Sequence, residues 1–322
     1  MAPSVDGSKS STGSNAHEIF VPGRLSILGE HSDWASSYRS ENPAVSVGRC
    51  LVCVTSEGLY AQATASSAPG ISYTCTDSEG LDQSFKHAFE LDSLHALARS
   101  GGFFAYVAGT AAAIMEAFDL PEGVCGIHIS NYKTTLPMKK GLSSSAAVCV
   151  LVVNCFAAVY GWELDQNETM ALAYRGEKKT PSQCGMMDFC VAMGAGSVGV
   201  MTTDRSGFCR LDRVFVKKPL YFVVADLNKG KDTVKILKAL NDAFPVPRDE
   251  QTCLVHEYVR KSQFLCLDAV RAVETGNVDL LAEIMTQAQQ CFDEGGAGSV
   301  SGRAGLTQTT RHSQQPELEE HL

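Results

Sequence analysis

The chain has 322 residues, 44 % of them hydrophobic and 20 % charged, with a formal net charge of −9. That length and balance suit one large domain or two ordinary ones with a real core. The acidic total argues against nucleic acid or an anionic membrane as the main partner, because both reward clustered Lys and Arg, but it leaves room for a small anionic ligand in a local site.

Residues 1–16, MAPSVDGSKSSTGSNA, are Ser- and Gly-rich without periodicity and read as a disordered tail. They lack the apolar stretch of a secretory signal, and no run in the chain is long enough to span a bilayer, so a cytoplasmic location is expected. The Ser-rich, acid-poor start leaves a transit peptide open. EIFVPGRLSILGEHSDW then reads as a short strand followed by a loop dense in ionisable groups. Pro43–Val54, GLYAQATAS and ISYTCT read as separate strands, rich in residues that favour the extended state. Phe103–Phe118 has helical spacing and ends near Pro121, and GVCGIHISN returns to strand.

The next helix, about Ser144–Tyr160, is nearly all apolar and should be buried. A further helix is expected over Gln166–Lys178, strands at GSVGVMTT and LYFVVADL, and mostly helix from Lys229 onward. Gly295–Leu322 is Gly-, Ser-, Thr- and Gln-rich and reads as an atypical flexible tail. The 12 cysteines sit mostly in apolar runs, as Cys149, Cys155 and Cys266 do, which suits reduced core thiols. Cys50 and Cys53 form a C-x-x-C with no second pair to complete a zinc site.

Three segments carry chemistry. In KKGLSSSAAV, Ser143, Ser144 and Ser145 stand at the mouth of the apolar helix, where one cap needs only one serine. A helix N-terminus has unpaired N–H groups and a partial positive charge. Gly141 lets the backbone approach a ligand, and serine hydroxyls can bond phosphate oxygens or a metal ion, so the turn is a candidate anion cradle. It lacks the spacing of a Walker-type loop. A serine-capped buried helix with no ligand is the plainer alternative.

The second segment, Gly23–Trp34, crowds Arg24, Glu30, His31 and Asp33 at the end of one strand. Such groups are costly to pack unless they bind something polar, and a solvated loop is the alternative. The third, Arg175–Gly194, holds a lone carboxylate, Asp188, among methionines and apolar neighbours, which is either a satisfied core group or a catalytic one.

Together, GRLSILGEHSDW, PMKKGLSSSAA and CGMMDFCVA resemble, in this order, the sugar-recognition, phosphate-binding and catalytic-aspartate segments of the GHMP kinases, in their galactokinase-like branch. The resemblance covers about Glu18–Leu227. It implies a two-domain α+β fold, with an N-terminal part like the second domain of ribosomal protein S5 and a ferredoxin-like C-terminal part, whole or incomplete, and the active site between them. The expected bounds are 17–205 for the ATP- and sugar-binding domain and 206–294 for the C-terminal domain, with tails 1–16 and 295–322.

The resemblance further implies ATP and a small sugar as partners and Mg²⁺ as cofactor. Lys140, Gly141, Leu142, Ser143, Ser144 and Ser145 would bind ATP. Ser145 and Glu177 would hold the metal, and Glu177 stands eleven residues before Asp188. Asp188 and Arg24 would flank the acceptor hydroxyl, and Glu30, His31 and Asp33 would bond sugar hydroxyls. The oligomeric state is not implied.

Departures from the branch are Ser26 for a frequent Asn, Trp34 for Tyr, Ser36 and Ser37 for a Gly-Gly pair, and Met138, Lys139 and Lys140 before Gly141. The family's third, Gly-rich motif has only Gly295–Gly298 as a candidate. A sugar kinase, a sugar- and ATP-binding regulator without turnover, and a kinase of a non-sugar alcohol remain three readings. The GEHSD cluster weighs against the last.

Overall fold

The computed structural model describes residues 16–77, 79–118, 120, 126–137, 140–182, 184–204, 209–225 and 240–294. The expected tails, except for Ala16, and the candidate third motif lie outside them. The chain divides into two compact units built from alternating stretches of sequence. One takes the residues up to Gly23, Glu57–Met138 and Ser143–Ser182; the other takes Arg24–Ser56, Lys139–Leu142 and the chain from Gln183 on.

The first unit contains the second half of β2 (Gly48–Ser66), followed by β3 (Ile71–Thr76), β4 (Asp82–His87) and β5 (Gly126–Thr134). Its strand order is β4-β3-β5-β2, with β3 and β5 parallel and the other pairs antiparallel. Its helices are α2 (Leu91–Ser100), α3 (Ala105–Ala117), α4 (Ser144–Tyr160) and α5 (Gln166–Glu177).

The separate strands expected at Pro43–Val54 and GLYAQATAS are one strand, which begins only at Gly48. Within it, Gly58 serves close packing: a Cβ there would lie 2.3 Å from the carbonyl oxygen of Val21. Helix α4 matches its expected bounds. It is apolar on all sides and buried accordingly, and Gly161, at φ +69°, ends it in the left-handed region. A capping box starts α5: Asp165 Oδ1 accepts from the N–H of Glu168 at 2.8 Å, and Glu168 Oε2 accepts from the N–H of Asp165 at 2.8 Å. The end of α5 presses on α3, where a Cβ on Gly109 would sit 2.4 Å from the carbonyl oxygen of Gly176. The next residue, Glu177, is fully buried.

The second unit holds the end of β1 (His17–Leu28) and the first half of β2, which pairs antiparallel with β6 (Val198–Thr203). β6 pairs antiparallel with β7 (Cys209–Arg213). Short α1 (Ser32–Ala35) runs into a 3-10 helix over Ser36–Ser40, and a second 3-10 helix spans Met186–Met193. Two long helices follow, α6 (Glu250–Thr275) and α7 (Val278–Glu294). Leu51 from β2 and Ile27 and Leu28 from β1 pack with Cys266, Ala269 and Val273 of α6 and with Leu281 and Ile284 of α7. A second cluster gathers Ala35, Val45, Leu240, Phe244, Val255 and Tyr258, with Trp34 and Tyr38 against it.

The strand expected at LYFVVADL does not form over its described part. Residues 220–225 are irregular, with Val223 fully exposed and Tyr221 nearly so. Strand-forming composition needs a partner to satisfy its backbone, and among the described residues none is paired with this segment. The cysteines in the core are free thiols, and burial pushes Cys190 and Cys266 up to about 12, which removes them as nucleophiles. Among the described residues, no helix is long and apolar enough to cross a membrane.

Candidate active site

The second unit assembles most of the acidic and basic residues singled out above. Arg24 lies on β1 with its side chain 8 % exposed, and its Nη2 donates to Oδ1 of Asp188, in the first turn of the Met186–Met193 helix. Asp188 is 27 % exposed at its side chain, so it is neither sealed in the core nor freely solvated. These two residues are 164 positions apart in sequence. The Nε of Arg24 is buried without a hydrogen-bond partner among the described residues. The backbone N–H of Arg24 donates to the carbonyl oxygen of Leu142 at 3.1 Å, which ties the Gly141 turn to the ion pair.

A sharp turn after β1 presents the remaining groups. Gly29 has φ +86°, and a Cβ there would lie 2.0 Å from the carbonyl oxygen of Arg49. The Ser32 hydroxyl donates to the carbonyl oxygens of Gly29 and Arg49, each at 2.8 Å. His31, just before α1, is left-handed at φ +71°. Among the described residues, the only other non-glycine there is Ser143, at φ +62°. A non-glycine pays for that conformation, and such strain gathers at functional sites. Both strained positions fall in segments singled out from the sequence.

Around His31 the ring environment is defined. The indole N–H of Trp34 donates to Nδ1 of His31 at 3.3 Å, the Phe292 ring stacks at 6.4 Å, and Glu30 Oε1 lies 3.9 Å from Nε2. Asp33 is buried, which raises its pKa, while the backbone N–H groups of Met187 and Trp34 and the charges of His31 and Arg24 oppose the rise. The Met187 N–H donates to Asp33 Oδ2 at 3.3 Å. Ser36 and Ser37 take ordinary helical backbone, and their hydroxyls donate to the carbonyl oxygens of Asp33 and Trp34, each at 2.6 Å. The pair therefore closes α1 and does not act as a loose loop. Ser26 Oγ reaches Met187 Sδ at 3.5 Å.

The serine-rich turn begins with Gly141 at φ +77°, exposed, with nothing within 4 Å of where a Cβ would stand. Lys140 is exposed and Leu142 half-buried. Ser143 occupies the N-cap of α4 but its side chain does not cap the helix, which corrects the simple reading of this serine as a capping residue. Ser144 and Ser145 open the first turn, half-buried. Ser143–Ser145 and Glu177 belong to the first unit. Glu177 is fully buried at the end of α5, where Ser182 Oγ donates to its Oε1 at 2.8 Å.

Two contributors were not legible in the sequence. Gly185 leaves room for Asp33, since a Cβ on it would fall 2.0 Å from Oδ2. Its small size was visible, but what it abuts was not. Tyr258, buried on α6, donates its hydroxyl to the carbonyl oxygen of Glu30 at 2.9 Å, and burial raises its pKa. No local signal marks it out from other aromatic residues in the C-terminal region.

Residues 105–196 match the model of the GHMP kinases N terminal domain. Galactokinase of Pasteurella multocida is 23 % identical over 301 residues, covering 84 % of this chain and 73 % of its own length. Among solved structures, galactokinase of Lactococcus lactis, complexed with galactose, aligns with a TM-score of 0.61 at 16 % identity, over 87 % of this chain and 76 % of that one. Phosphomevalonate kinase of Streptococcus pneumoniae, in complex with phosphomevalonate and AMPPNP, gives 0.59 at 15 % identity, over 86 % and 80 %. With this fold, residues 105–196 carry a GHMP kinases N terminal domain, and the chain is similar to galactokinases over most of its length.

Proposed function

We propose that the chain transfers the γ-phosphoryl group of ATP to a hydroxyl of a monosaccharide, with Mg²⁺ as cofactor. The observation that carries this reading is the Arg24–Asp188 ion pair, partly open at the carboxylate and tied through the Arg24 backbone to the Gly141 turn. Phosphoryl transfer leaves a protein little covalent work, so positioning and charge neutralisation dominate. Asp188 accepts the hydrogen bond of the acceptor hydroxyl, and either takes its proton or only aims it. Arg24 stabilises the charge that develops on that oxygen. The Gly141–Ser145 turn receives the phosphates on backbone N–H groups and hydroxyls.

Mg²⁺ takes oxygen ligands and keeps several waters. The Ser145 hydroxyl and the buried Glu177 carboxylate are donors of that kind, and Ser182 orients the carboxylate. When bound, the ion would neutralise phosphate charge.

Glu30, His31 and Asp33 favour a sugar over another alcohol. Several short donors and acceptors in one turn can meet several hydroxyls at once, and a site built this way rejects analogues that leave its polar groups unpaired. The fold does not make this choice, since its likeness to phosphomevalonate kinase is nearly as high as to galactokinase. The test is a panel of monosaccharides, with mevalonate and homoserine alongside, screened for ADP release with Mg-ATP. Asp188→Asn runs in parallel and should lose about 10²–10⁴-fold in kcat on the sugar that is turned over. Binding of ATP and sugar without turnover on any acceptor would replace the kinase by a sugar-sensing regulator.

A further inference from the structure

Trp34 stands where the resemblance leads one to expect tyrosine, and its indole is aimed at a ring nitrogen. The indole N–H can only donate, so Nδ1 of His31, 3.3 Å away, must present its lone pair. In the neutral ring the proton then sits on Nε2. We infer that Trp34 is a positioning residue: it fixes His31 as the Nε2–H tautomer, opposes its protonation at Nδ1, and so keeps an N–H donor facing the Glu30 side of the turn. Nε2 is itself buried, so the tautomer sets the donor pattern inside the turn, and only its use toward a sugar hydroxyl rests on the proposed function.

The indole is itself held by packing. Its ring meets Phe244 edge-on at 5.6 Å, and Phe244 stacks on Tyr38 at 5.5 Å and on His256 of α6 at 4.2 Å. The back of the His31 ring is covered by Phe292 of α7, stacked at 6.4 Å with 21° between the planes. Rotation that exchanges the two nitrogens would give up the indole bond.

The charged groups around His31 pull the other way. Glu30 lies 3.9 Å from Nε2, and the charge of Asp33 acts on the ring from the same turn. Arg24 of β1 acts on Asp33, and Tyr258 of α6 faces the Glu30 carbonyl. Phe292 brings no charge. Two carboxylates favour an imidazolium, and the indole, which loses its acceptor when Nδ1 is protonated, disfavours it.

The test is long-range ¹H–¹⁵N NMR of the imidazoles. His31 is assigned among the eight histidines by comparison with His31→Gln. In the parent, Nδ1 should resonate as an unprotonated acceptor and Nε2 as a protonated nitrogen. In Trp34→Phe, which keeps a ring and removes the donor, the two shifts should move toward the average of a tautomer mixture. The titration midpoint should also rise by about 0.5–1 pH unit, the scale of one hydrogen bond. A proton on Nδ1 of the neutral parent ring would overturn the inference. So would an unchanged tautomer and midpoint in folded Trp34→Phe. If that variant does not fold, the parent spectrum decides alone. Neither spectrum needs ATP or sugar, so a failure of the kinase reading would appear in the turnover screen and not here.

Discussion

Substituting Gly185 by alanine would test how the acid cluster is held. The backbone at Gly185, φ −87° and ψ 175°, accepts any residue, so the whole effect is steric. The atoms nearest the new Cβ would be those of Asp33: Oδ2 at 2.0 Å, Cγ at 2.9 Å and Oδ1 at 3.4 Å. Ordinary contact begins near the last of these values, so the carboxylate must retreat by more than about 1 Å. Retreat breaks the 3.3 Å bond from the Met187 N–H. Overpacking of a tight site costs about 1–3 kcal/mol, and loss of a long bond to a charged acceptor adds about 1 kcal/mol, giving about 2–4 kcal/mol in all.

The assay is urea unfolding of the parent, Gly185→Ala, Asp33→Ala and the double variant. With the carboxylate gone, the alanine loses its nearest obstruction, so most of its cost should disappear. An equal cost in both backgrounds would refute the reasoning, because the obstruction would then not be Asp33. On the sugar that is turned over, Gly185→Ala should also raise KM more than it lowers kcat, since Asp33 is assigned to binding.

Three other outcomes follow from the same geometry. Burial makes Asp33 hold its proton more tightly in the folded chain than in the unfolded one. Its stability contribution is therefore present below the unfolded pKa and lost as pH rises through the folded value. Asp33→Asn should match the parent in stability near pH 4 and become progressively more stable toward pH 7, as urea midpoints across that range would show; a parent that gains on the variant as pH rises contradicts this. Tyr258→Phe removes the bond to the Glu30 carbonyl and should cost about 1 kcal/mol in the same unfolding assay, and no loss would mean the bond is not formed in solution. Glu177→Gln keeps the shape and the Ser182 bond while removing the charge, and should raise the Mg²⁺ concentration for half-maximal ADP release by at least about tenfold; an unchanged Mg²⁺ dependence would remove Glu177 from the metal site.

What the sequence made visible depended on how local the signal was. Helix α4 was legible to the residue, because an unbroken apolar run is bracketed by a serine turn and a glycine that takes a left-handed end. The long strand β2 reads as two in the sequence, with Thr55-Ser56-Glu57 between them, and only the structure reveals that it runs through and that Gly58 clears the Val21 carbonyl. Strand β4 shows no apolar face, its residues alternating between exposed and half-buried, so periodicity had nothing to find. Helix α2 does carry a signal, Leu91, Leu94 and Ala98 at helical spacing.

The described part of LYFVVADL, residues 220–225, forms no strand for the opposite reason, because strand-forming composition has no pairing partner among the described residues. In the site, Arg24 and Asp188 could be associated only through a resemblance, since nothing local connects residues so far apart. Gly185 and Tyr258 act through tertiary contact, which sequence spacing does not encode, whereas the Trp34–His31 bond joins residues three apart and depends on the left-handed backbone at His31.

The most direct measurement of the central claim is phosphorus NMR of a reaction mixture containing Mg-ATP and the sugar selected by the ADP-release screen. The account predicts a new sugar-phosphate resonance that grows in step with ADP in the parent protein and is absent with Asp188→Asn. ATP consumed into inorganic phosphate, or a sugar phosphate formed equally fast by the variant, would contradict it.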